Sequence, residues 1–209
     1  MTSANAFYAR PGPVLRRRPA PFALGYPLPA MPTIRRATAL DIDAVVALVT
    51  SAYRGEASRE GWTTEADWID GERTNPDEVG RIIAGPDSVM LLVEDQDGRT
   101  LEASCQLARS APGVAYFGMF AVRPDLQGTG IGKWLLTEAE GFARRNWDAG
   151  LMRMTVINVR AELIEWYARR GYRPTGETEP FPYGEPAFGV PKVPDLHFTV
   201  LAKSLAADD

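Results

Sequence analysis

Two periods of hydrophobic and polar positions run along this chain, and each period predicts its own kind of element. Near the N-terminal end, apolar residues recur at the spacing of one helical face, which predicts a helix through about Ser51 with Ile42, Val45, Val46 and Val49 on that face. Thr38, with Asp41 three residues later, forms a capping-box pattern that begins the helix. Just before it, Thr33–Arg36 is a predicted first strand, so a strand followed by a helix packed on the sheet is expected.

The middle of the chain reads as a run of strands. Three apolar runs separated by turn residues predict three antiparallel strands, Ser88–Glu94, Thr100–Arg109 and Val114–Val122. Before them, the polar stretch from Tyr53 to Asn75 contains a predicted short helix near Thr64–Gly71. A further helix is predicted over Pro76–Ala84, because proline is favoured in the first turn of a helix.

The C-terminal half alternates between the two periods. It predicts a helix to about Asn146, a strand over Met152–Asn158, a helix over Arg160–Tyr172, and two last strands near Tyr172–Thr175 and Leu196–Leu201. These elements predict a mixed α/β sheet with helices on both faces. The segment Glu179–Pro191 is a long loop of prolines and aromatic residues. Such a loop favours an ordered lid or substrate wall over a plain linker, and contact across a dimer is a third option.

Composition bounds the number of domains. The chain has 209 residues, 45% of them hydrophobic, and lacks any apolar run near the roughly 18 residues of a membrane span, so one globular cytoplasmic domain is expected. Residues 1–31 form a proline- and arginine-rich extension that we expect to be disordered, residues 32–205 the domain, and residues 206–209 a tail. The extension is either a functional segment or an overextended start, in which case Met31 serves as the first residue.

Charge is distributed unevenly along the chain. Residues 1–36 contain six arginines and no acid, so the remaining body holds 17 of the 23 Lys and Arg residues against 27 Asp and Glu, about −10 overall. An acidic body disfavours nucleic acid as a partner and mildly favours a cationic substrate such as an amine, although a solvated charged surface is the plain alternative. The single Cys105 is expected to be a buried small side chain, and the single His197 lacks the partners of a zinc site, so no metal is predicted.

The most informative segment is the loop Gln127–Gly132, which lies between an apolar strand and a helix-forming stretch. Its three glycines let the backbone turn and bring its amides close to an anion, and the next helix adds free N–H groups and the positive end of its dipole. A Walker loop is excluded because Trp134 follows Lys133 where Ser or Thr is required. A dinucleotide-binding loop fits poorly because the glycines alternate. Arg123 and Lys133 flank the loop, either to meet phosphates or as surface charges.

Two motifs in the right order carry a resemblance to a known family. Gln127, Gly130 and Gly132 match the Gln/Arg-x-x-Gly-x-Gly/Ala signature of the GCN5-related N-acetyltransferase (GNAT) family. Asn158 at a strand end and the stretch from Tyr167 to Tyr172 match its second signature, Tyr-x-x-x-Gly-Phe/Tyr. The resemblance implies a mixed, mostly antiparallel twisted sheet of six to seven strands. It also implies acetyl-CoA as co-substrate and transfer of its acetyl group to a primary amine, by direct attack in a ternary complex.

The same resemblance implies roles for individual residues. Tyr167 is the expected proton donor to the departing CoA thiolate, the alternative being that it only packs beside Trp166. The backbone amide of Phe120 is expected at the thioester carbonyl, and Val122 pairs with the pantetheine arm like an added strand. Gly118 marks a bulge that opens the sheet. The pyrophosphate is expected at a run of seven residues, Gln127, Gly128, Thr129, Gly130, Ile131, Gly132 and Lys133.

Two assignments leave alternatives open. Asn158 either binds the pantetheine or separates the strands. Some family members have a glutamate where this chain has Tyr116, so the general base is either a water relay or an acid on the acceptor side, for which Glu56 is the candidate. The segments between Tyr53 and Ala84 are expected to line that side.

Other function classes are weighed against a small-molecule N-acetyltransferase. They are a non-catalytic acyl-CoA-binding regulatory module, a protein or peptide N-acetyltransferase, and a tRNA-dependent aminoacyl transferase, which the acidic body disfavours. A homodimer is possible, and neither a nucleic acid nor a membrane is an expected partner.

Overall fold

The computed structural model describes residues 32–185 and 188–206. The predicted N-terminal extension, with Met31, and most of the predicted C-terminal tail lie outside the described residues. Within those that are described, no helix combines the length and apolarity needed to cross a membrane.

Nine strands and four α-helices make up the described chain. The strands are β1 Thr33–Arg36, β2 Ile69–Asp70, β3 Ser88–Glu94, β4 Leu101–Ala111, β5 Val114–Val122, β6 Leu151–Ile157, β7 Arg173–Pro180, β8 Val190–Pro191 and β9 His197–Ser204. The helices are α1 Ile42–Tyr53, α2 Pro76–Ala84, α3 Ile131–Trp147 and α4 Ala161–Ala168. Short 3-10 turns cover Ala39–Asp41, Glu56–Glu60 and Pro124–Leu126.

Seven strands form one sheet in the order β1-β3-β4-β5-β6-β9-β7. The β5–β6 pair is parallel and the other neighbours are antiparallel. On one face, apolar residues of α1 and α2 pack with Met90 and Leu92 of β3 and with the end of β5 at Met119 and Ala121. On the opposite face, those of α3 and α4 pack with the other alternate residues of β3 and with the start of β5. The predicted mixed, mostly antiparallel sheet with helices on both faces is confirmed.

The sheet opens between β5 and β6. These strands pair only over Val114–Tyr116 and Leu151–Arg153, so the rest of each strand diverges from the other. On its other side β5 bulges against β4, and Met119 takes the left-handed conformation with φ 43°. This is the bulge predicted at Gly118, one residue further along, and it turns the last residues of β5 toward the opening.

The predicted helix near Thr64–Gly71 is wrong. The segment forms turns and then β2, which pairs antiparallel with β8. Gly71 has φ 83°, a conformation incompatible with a continuing α-helix. The helix predicted to Tyr172 likewise ends earlier, at Ala168, and the turn that follows places Gly171 at φ 93°. The last two strands are longer than predicted, because β7 continues to Pro180 and β9 to Ser204.

The predicted capping box is confirmed and supports a first prediction. Asp41 accepts a hydrogen bond from the Thr38 backbone N–H (2.7 Å), and the Arg35 guanidinium donates to both carboxylate oxygens (2.8 and 2.7 Å). The hydrogen bonds from Arg35 lower the pKa of Asp41 well below its usual range, an effect that desolvation only partly opposes and to which Thr38 also contributes. The stabilisation is therefore present above the unfolded pKa of about 3.9 and is lost as the pH falls below it.

We expect Asp41→Asn to lower the free energy of unfolding by about 1 kcal/mol at pH 7, because it removes one member of the cap and the charge that Arg35 binds. Urea unfolding of both proteins at pH 7 and at pH 3 measures the effect. The difference in the free energy of unfolding should be smaller at pH 3, because the stabilisation that the Asp41 carboxylate gives the wild-type protein is partly lost there. An equal difference at both pH values would show that the charge of Asp41 is irrelevant.

Candidate active site

Two adjoining cavities lie where β5 and β6 diverge. The first, about 310 Å³, is lined by the glycine loop before α3 and by residues of α4, and we call it the donor cavity. The second, about 250 Å³, is lined by charged and aromatic side chains from α1, β5, β6 and the segment before α2, and we call it the acceptor cavity. Tyr53, Phe120 and Leu163 line both cavities, so the two spaces meet at these residues.

The donor cavity contains most of the predicted cofactor residues. Seven of them line it, Phe120, Val122, Gln127, Gly128, Gly130, Gly132 and Lys133. Gly128 and Gly130 have φ values of 84° and 100°, which turn the chain sharply before α3. The first turn of α3 has no side-chain cap, so its backbone N–H groups are free to meet an anion.

Three predicted cofactor residues line neither cavity. Thr129 donates its hydroxyl to the Leu126 carbonyl (2.7 Å), and Ile131 packs against the hydrophobic core. The Asn158 side chain donates to the Asp195 carbonyl (3.3 Å) and accepts from the His197 N–H (3.2 Å). The Asn158 amide thus joins the end of β6 to the start of β9, and its two predicted roles stay predictions.

The Gln127 side chain joins distant parts of the chain. It donates to the Thr63 hydroxyl (2.8 Å) and to the Val122 carbonyl (3.1 Å), and it accepts from the Trp62 N–H (2.9 Å). A Cβ on Gly61 would come within 2.6 Å of this amide, so the contact is tight. Gln127 therefore fixes the 61–63 segment against the glycine loop.

An aromatic wall that the sequence analysis missed borders the donor cavity. The ring of Trp166 lies 6.3 Å from that of Trp62 and 6.0 Å from that of Phe120, and the Arg170 guanidinium lies 3.3 Å from the Trp166 centroid. Trp166 and Arg170 are four residues apart on and just after α4, a spacing that places both on one side of the helix. The wall gives the cavity an apolar face opposite the glycine loop.

Tyr167 lies at the acceptor cavity, with 4% of its surface exposed. Its ring packs edge-on against Trp166 (5.1 Å) and Tyr172 (5.7 Å), so the predicted packing contact exists. Its hydroxyl makes no hydrogen bond to the described residues, which leaves the donor free. Burial raises the pKa of Tyr167 well above 10, so the phenol keeps its proton at neutral pH.

Tyr53 closes the junction of the cavities from the other face of the sheet. Its hydroxyl donates to the Phe120 carbonyl, and burial raises the pKa of Tyr53 to about 12. The hydrogen bond fixes the peptide plane of Phe120. The backbone at the junction is thereby held by a protonated side chain.

A buried cluster of charges forms one side of the acceptor cavity. Glu65 pairs with Arg54, and its carboxylate lies 3.8 Å from Arg160 Nη1 and 3.9 Å from Arg73 Nε. Arg160 also donates to the carbonyls of Thr63 (2.9 Å) and Trp62 (3.4 Å). Buried charges are tolerated when they are paired and hydrogen-bonded, as those of Arg54, Glu65 and Arg160 are, although Nε of Arg54 has no hydrogen-bond partner among the described residues.

Other side chains complete the acceptor cavity. Glu78 and Glu179 line it, and Glu78 accepts from the Thr74 hydroxyl (2.8 Å). Phe181 and Phe188, which stand before and after residues 186–187, form a further part of the wall. Residues from the segments between Tyr53 and Ala84 and from the proline-aromatic loop therefore line one cavity.

The structure does not bring Glu56 to either cavity. Its side chain is 93% exposed and pairs with Arg59 at 3.4 Å. Glu56 lies in the 3-10 turn just after α1, which points this carboxylate to solvent instead of toward the sheet. Glu56 therefore lines neither cavity, and the carboxylates of the described residues that line the acceptor cavity are Glu65, Glu78 and Glu179.

Cys105 and His197 take structural positions. Cys105 is fully buried in the core, and burial raises the pKa of its thiol. His197 Nδ1 lies 3.2 Å from the Asp195 carbonyl. No group of three or more His, Cys, Asp or Glu side chains in the described parts of the chain could hold a metal ion.

Comparison with known proteins adds to this geometry. Residues 86–174 match the family model described as an acetyltransferase (GNAT) domain. Solved structures with the same fold include an N-acetyltransferase from Staphylococcus aureus Mu50, at 15% identity and TM-score 0.62, covering 84% of this chain and 99% of that chain. Nourseothricin acetyltransferase shares 20% identity with TM-score 0.57 and the same coverages of 84% and 99%.

A third structure is the ribosomal-protein-S18-alanine N-acetyltransferase from Escherichia coli, with 15% identity and TM-score 0.58. It covers 86% of this chain and 97% of that chain. The comparison with curated proteins gives no match.

The fold, the opening between β5 and β6 and the glycine loop define an acyltransferase of the N-acetyltransferase class. Residues 86–174 span β3 to the start of β7 and include both predicted signatures. This part of the chain matches a GNAT acetyltransferase domain, the family that the two motifs resemble.

Proposed function

We propose that this protein transfers the acetyl group of acetyl-CoA to a primary amine of a small molecule. The observation that carries the proposal is the pair of cavities that meet at Phe120. Because each cavity has its own walls, both substrates can be bound at once. This arrangement supports direct attack in a ternary complex over a covalent acyl-enzyme, for which the buried Cys105 would be inaccessible.

The donor cavity suits acetyl-CoA. The backbone at Gly128, Gly130 and Gly132, with the start of α3, would hold the pyrophosphate, and Lys133 would add a positive charge. The pantetheine arm would follow the wall of Trp166 and Val122 toward Phe120. The thioester would then lie at the junction with the acceptor cavity.

The reaction needs little from the protein beyond positioning and proton transfer. The neutral amine attacks the thioester carbon, a C–N bond forms and the C–S bond breaks. The backbone amide of Phe120 stabilises the oxyanion, and the Tyr167 hydroxyl donates to the departing thiolate. The proton that the amine loses passes to a carboxylate at the acceptor cavity.

Substitution of Gly130 tests the donor half of the proposal. We expect Gly130→Ala to weaken acetyl-CoA binding by at least about tenfold, because a side chain at φ 100° strains the loop by about 1–2 kcal/mol and places a methyl group in the anion seat. Isothermal titration with acetyl-CoA measures the effect.

Gly98→Ala is the matched control. Gly98 also has positive φ (65°), and an added Cβ would meet no atom within 4 Å, but it lies in the β3–β4 turn and lines neither cavity. It should lose similar stability and keep wild-type acetyl-CoA affinity. Equal affinity of Gly130→Ala and wild type would remove the glycine loop from the cofactor site.

Two other functions remain in competition. A protein N-acetyltransferase would bind a polypeptide end, and the E. coli neighbour is named for such a substrate. The 250 Å³ acceptor cavity with walls on both sides favours a small molecule. A non-catalytic acyl-CoA-binding module is the other candidate, and a free Tyr167 hydroxyl disfavours it. Release of CoA across a panel of amines decides between them. If no amine caused CoA release although acetyl-CoA bound tightly, the regulatory module would be favoured.

A cytoplasmic location and a homodimer stay predictions.

A further inference from the structure

One guanidinium at the acceptor cavity is uncommitted. Arg54 is hydrogen-bonded to Glu65, and Arg160 is hydrogen-bonded to two backbone carbonyls of the 62–63 segment. Arg73 also lines the cavity, but its guanidinium makes no hydrogen bond to any residue that the structure describes. The Glu65 carboxylate lies at the outer limit of an ion pair, 3.9 Å from Arg73 Nε.

The charge around Arg73 is unbalanced. Three arginines share Glu65, and the negative charge of Glu78 also acts on Arg73, so these five side chains keep one positive charge in excess. Arg73 is the most accessible of the three, with 27% of its side chain exposed against 4% for Arg54 and 2% for Arg160. Its guanidinium carbon lies 5.5 Å from the Tyr53 ring centroid, and the ring holds it against the cavity wall. A planar guanidinium in this position is suited to bidentate binding of a carboxylate.

A carboxylate of the protein lines the same cavity. Glu78 is partly buried, accepts one hydrogen bond from Thr74 and forms no ion pair with a described residue. Its position in the first turn of α2, five residues after Arg73, brings a negative group to the cavity that Arg73 also lines. An ammonium group bound there would be neutralised, and on reaction it would have an acceptor for its proton.

The size of the cavity limits the ligand. A volume of about 250 Å³ corresponds to about eight water molecules at about 30 Å³ each, which is the scale of a small amino acid. Phe181 and Phe198 supply apolar wall for a short side chain. Among the described residues, the lining combines an arginine without a hydrogen bond, Arg73, with two carboxylates without an ion pair, Glu78 and Glu179, and with apolar walls. Such a cavity matches a molecule that carries both charges.

We propose that the acceptor is a small amino-carboxylate whose carboxylate is bound by Arg73 and whose amine is bound by Glu78. This inference rests on the proposed acetyltransferase function and names its acceptor class. In the reaction the ammonium first gives one proton to Glu78, and the neutral amine then attacks the thioester carbon. As the C–S bond breaks, Tyr167 gives its proton to the thiolate and the second proton of the amine replaces it on Tyr167. The products are the amide, the CoA thiol and the proton on Glu78, which passes to solvent.

The test compares matched acceptors with the full-length protein and acetyl-CoA, measured by release of the CoA thiol. Each of a panel of free amino acids is paired with its carboxamide and with the corresponding decarboxylated amine. At least one free amino acid should be acetylated with a kcat/KM at least about tenfold above that of its carboxamide, since a site built to bind a polar group rejects analogues without it.

Three variants separate the roles. Arg73→Gln should raise the KM of the preferred amino acid at least about tenfold and leave its carboxamide and acetyl-CoA unaffected. Arg73→Lys keeps the positive charge but lacks the planar guanidinium that binds a carboxylate through two hydrogen bonds. It should therefore lose part of the preference for the amino acid over its carboxamide. Arg81→Gln, an exposed arginine of α2 outside both cavities, is the matched control and should behave as wild type. Glu78→Gln should slow all amines, carboxylated or not.

The outcomes that overturn the inference differ from those that overturn the proposed function. Equal use of carboxylated and uncharged amines, or equal losses for both in Arg73→Gln, would refute the amino-carboxylate assignment while CoA release upheld the acetyltransferase. If no acceptor caused release of the CoA thiol although acetyl-CoA bound tightly, the acetyltransferase function itself would be refuted, and the acceptor assignment with it. Failure to bind acetyl-CoA would refute the donor site.

Discussion

Replacing Tyr167 by phenylalanine is expected to lower kcat by about 10²-fold or more, because the substitution removes the only group that we place at the departing thiolate. The hydroxyl makes no hydrogen bond to the described residues, so its loss leaves no internal partner unsatisfied. The ring contacts with Trp166 and Tyr172 survive in the variant. The KM of acetyl-CoA and the melting temperature should therefore stay near their wild-type values. Steady-state release of CoA measures the effect.

Tyr172→Phe is the matched control for this experiment. Tyr172 is also a buried tyrosine, but its hydroxyl donates to Glu140 (3.0 Å) within the core behind α3. Its loss should lower stability and spare kcat. If Tyr167→Phe kept wild-type kcat, Tyr167 would be a packing residue and the proton would reach the thiolate from water. The raised pKa of Tyr167 adds a second check, since loss of its proton cannot produce a fall in kcat below pH 10.

The second large effect concerns stability. Glu65→Gln is expected to lower the free energy of unfolding by about 3–5 kcal/mol, because it leaves the buried guanidinium groups of Arg54 and Arg160 without a counter-charge. Urea unfolding followed by circular dichroism measures the difference. The loss should exceed that of any exposed pair in the chain, since exposed pairs contribute about 0–1 kcal/mol.

Glu56→Gln is the control for the charge cluster. Glu56 lies nine residues before Glu65 and forms an exposed pair with Arg59. Breaking this pair should leave both the stability and kcat unchanged. If Glu65→Gln lowered the free energy of unfolding no more than the control does, solvent or mobile side chains would have to neutralise Arg54 and Arg160. A changed pH profile of kcat in Glu56→Gln would restore Glu56 as a candidate base.

The parts of the fold that local chemistry decides were predictable from the sequence. Asp41 follows Thr38 at the capping spacing, Pro76 stands in the first turn of α2, and turn residues separate the three central strands. The glycine loop was also predictable, since its backbone needs positive φ at Gly128 and Gly130. In each case the residues that identify the element lie within a few residues of the turn, cap or loop that they form.

The rest of the site depends on contacts between distant segments. Arg54, Glu65 and Arg160 look like ordinary surface charges in the sequence, and only the fold brings them into one buried cluster. Gln127 was predicted as a cofactor contact from its motif position, but its side chain is also bound to a segment 64 residues earlier. The sequence suggests Glu56 as an acid on the acceptor side, but a single 3-10 turn directs its side chain to solvent.

The pairing of β2 with β8 has a consequence for changing the acceptor. Gly189 lies so close to the Asp70 carbonyl that a Cβ there would approach it to 2.5 Å, and Lys192 donates from its N–H to the Trp68 carbonyl (2.8 Å) and from Nζ to the Ala66 carbonyl (2.7 Å). The two walls of the acceptor cavity are thus one fitted unit made from separate stretches of the chain. To change the ligand of this cavity, residues 66–73 and 188–192 would have to be grafted together from one homologous protein, because either segment alone would lack the partner segment that it fits.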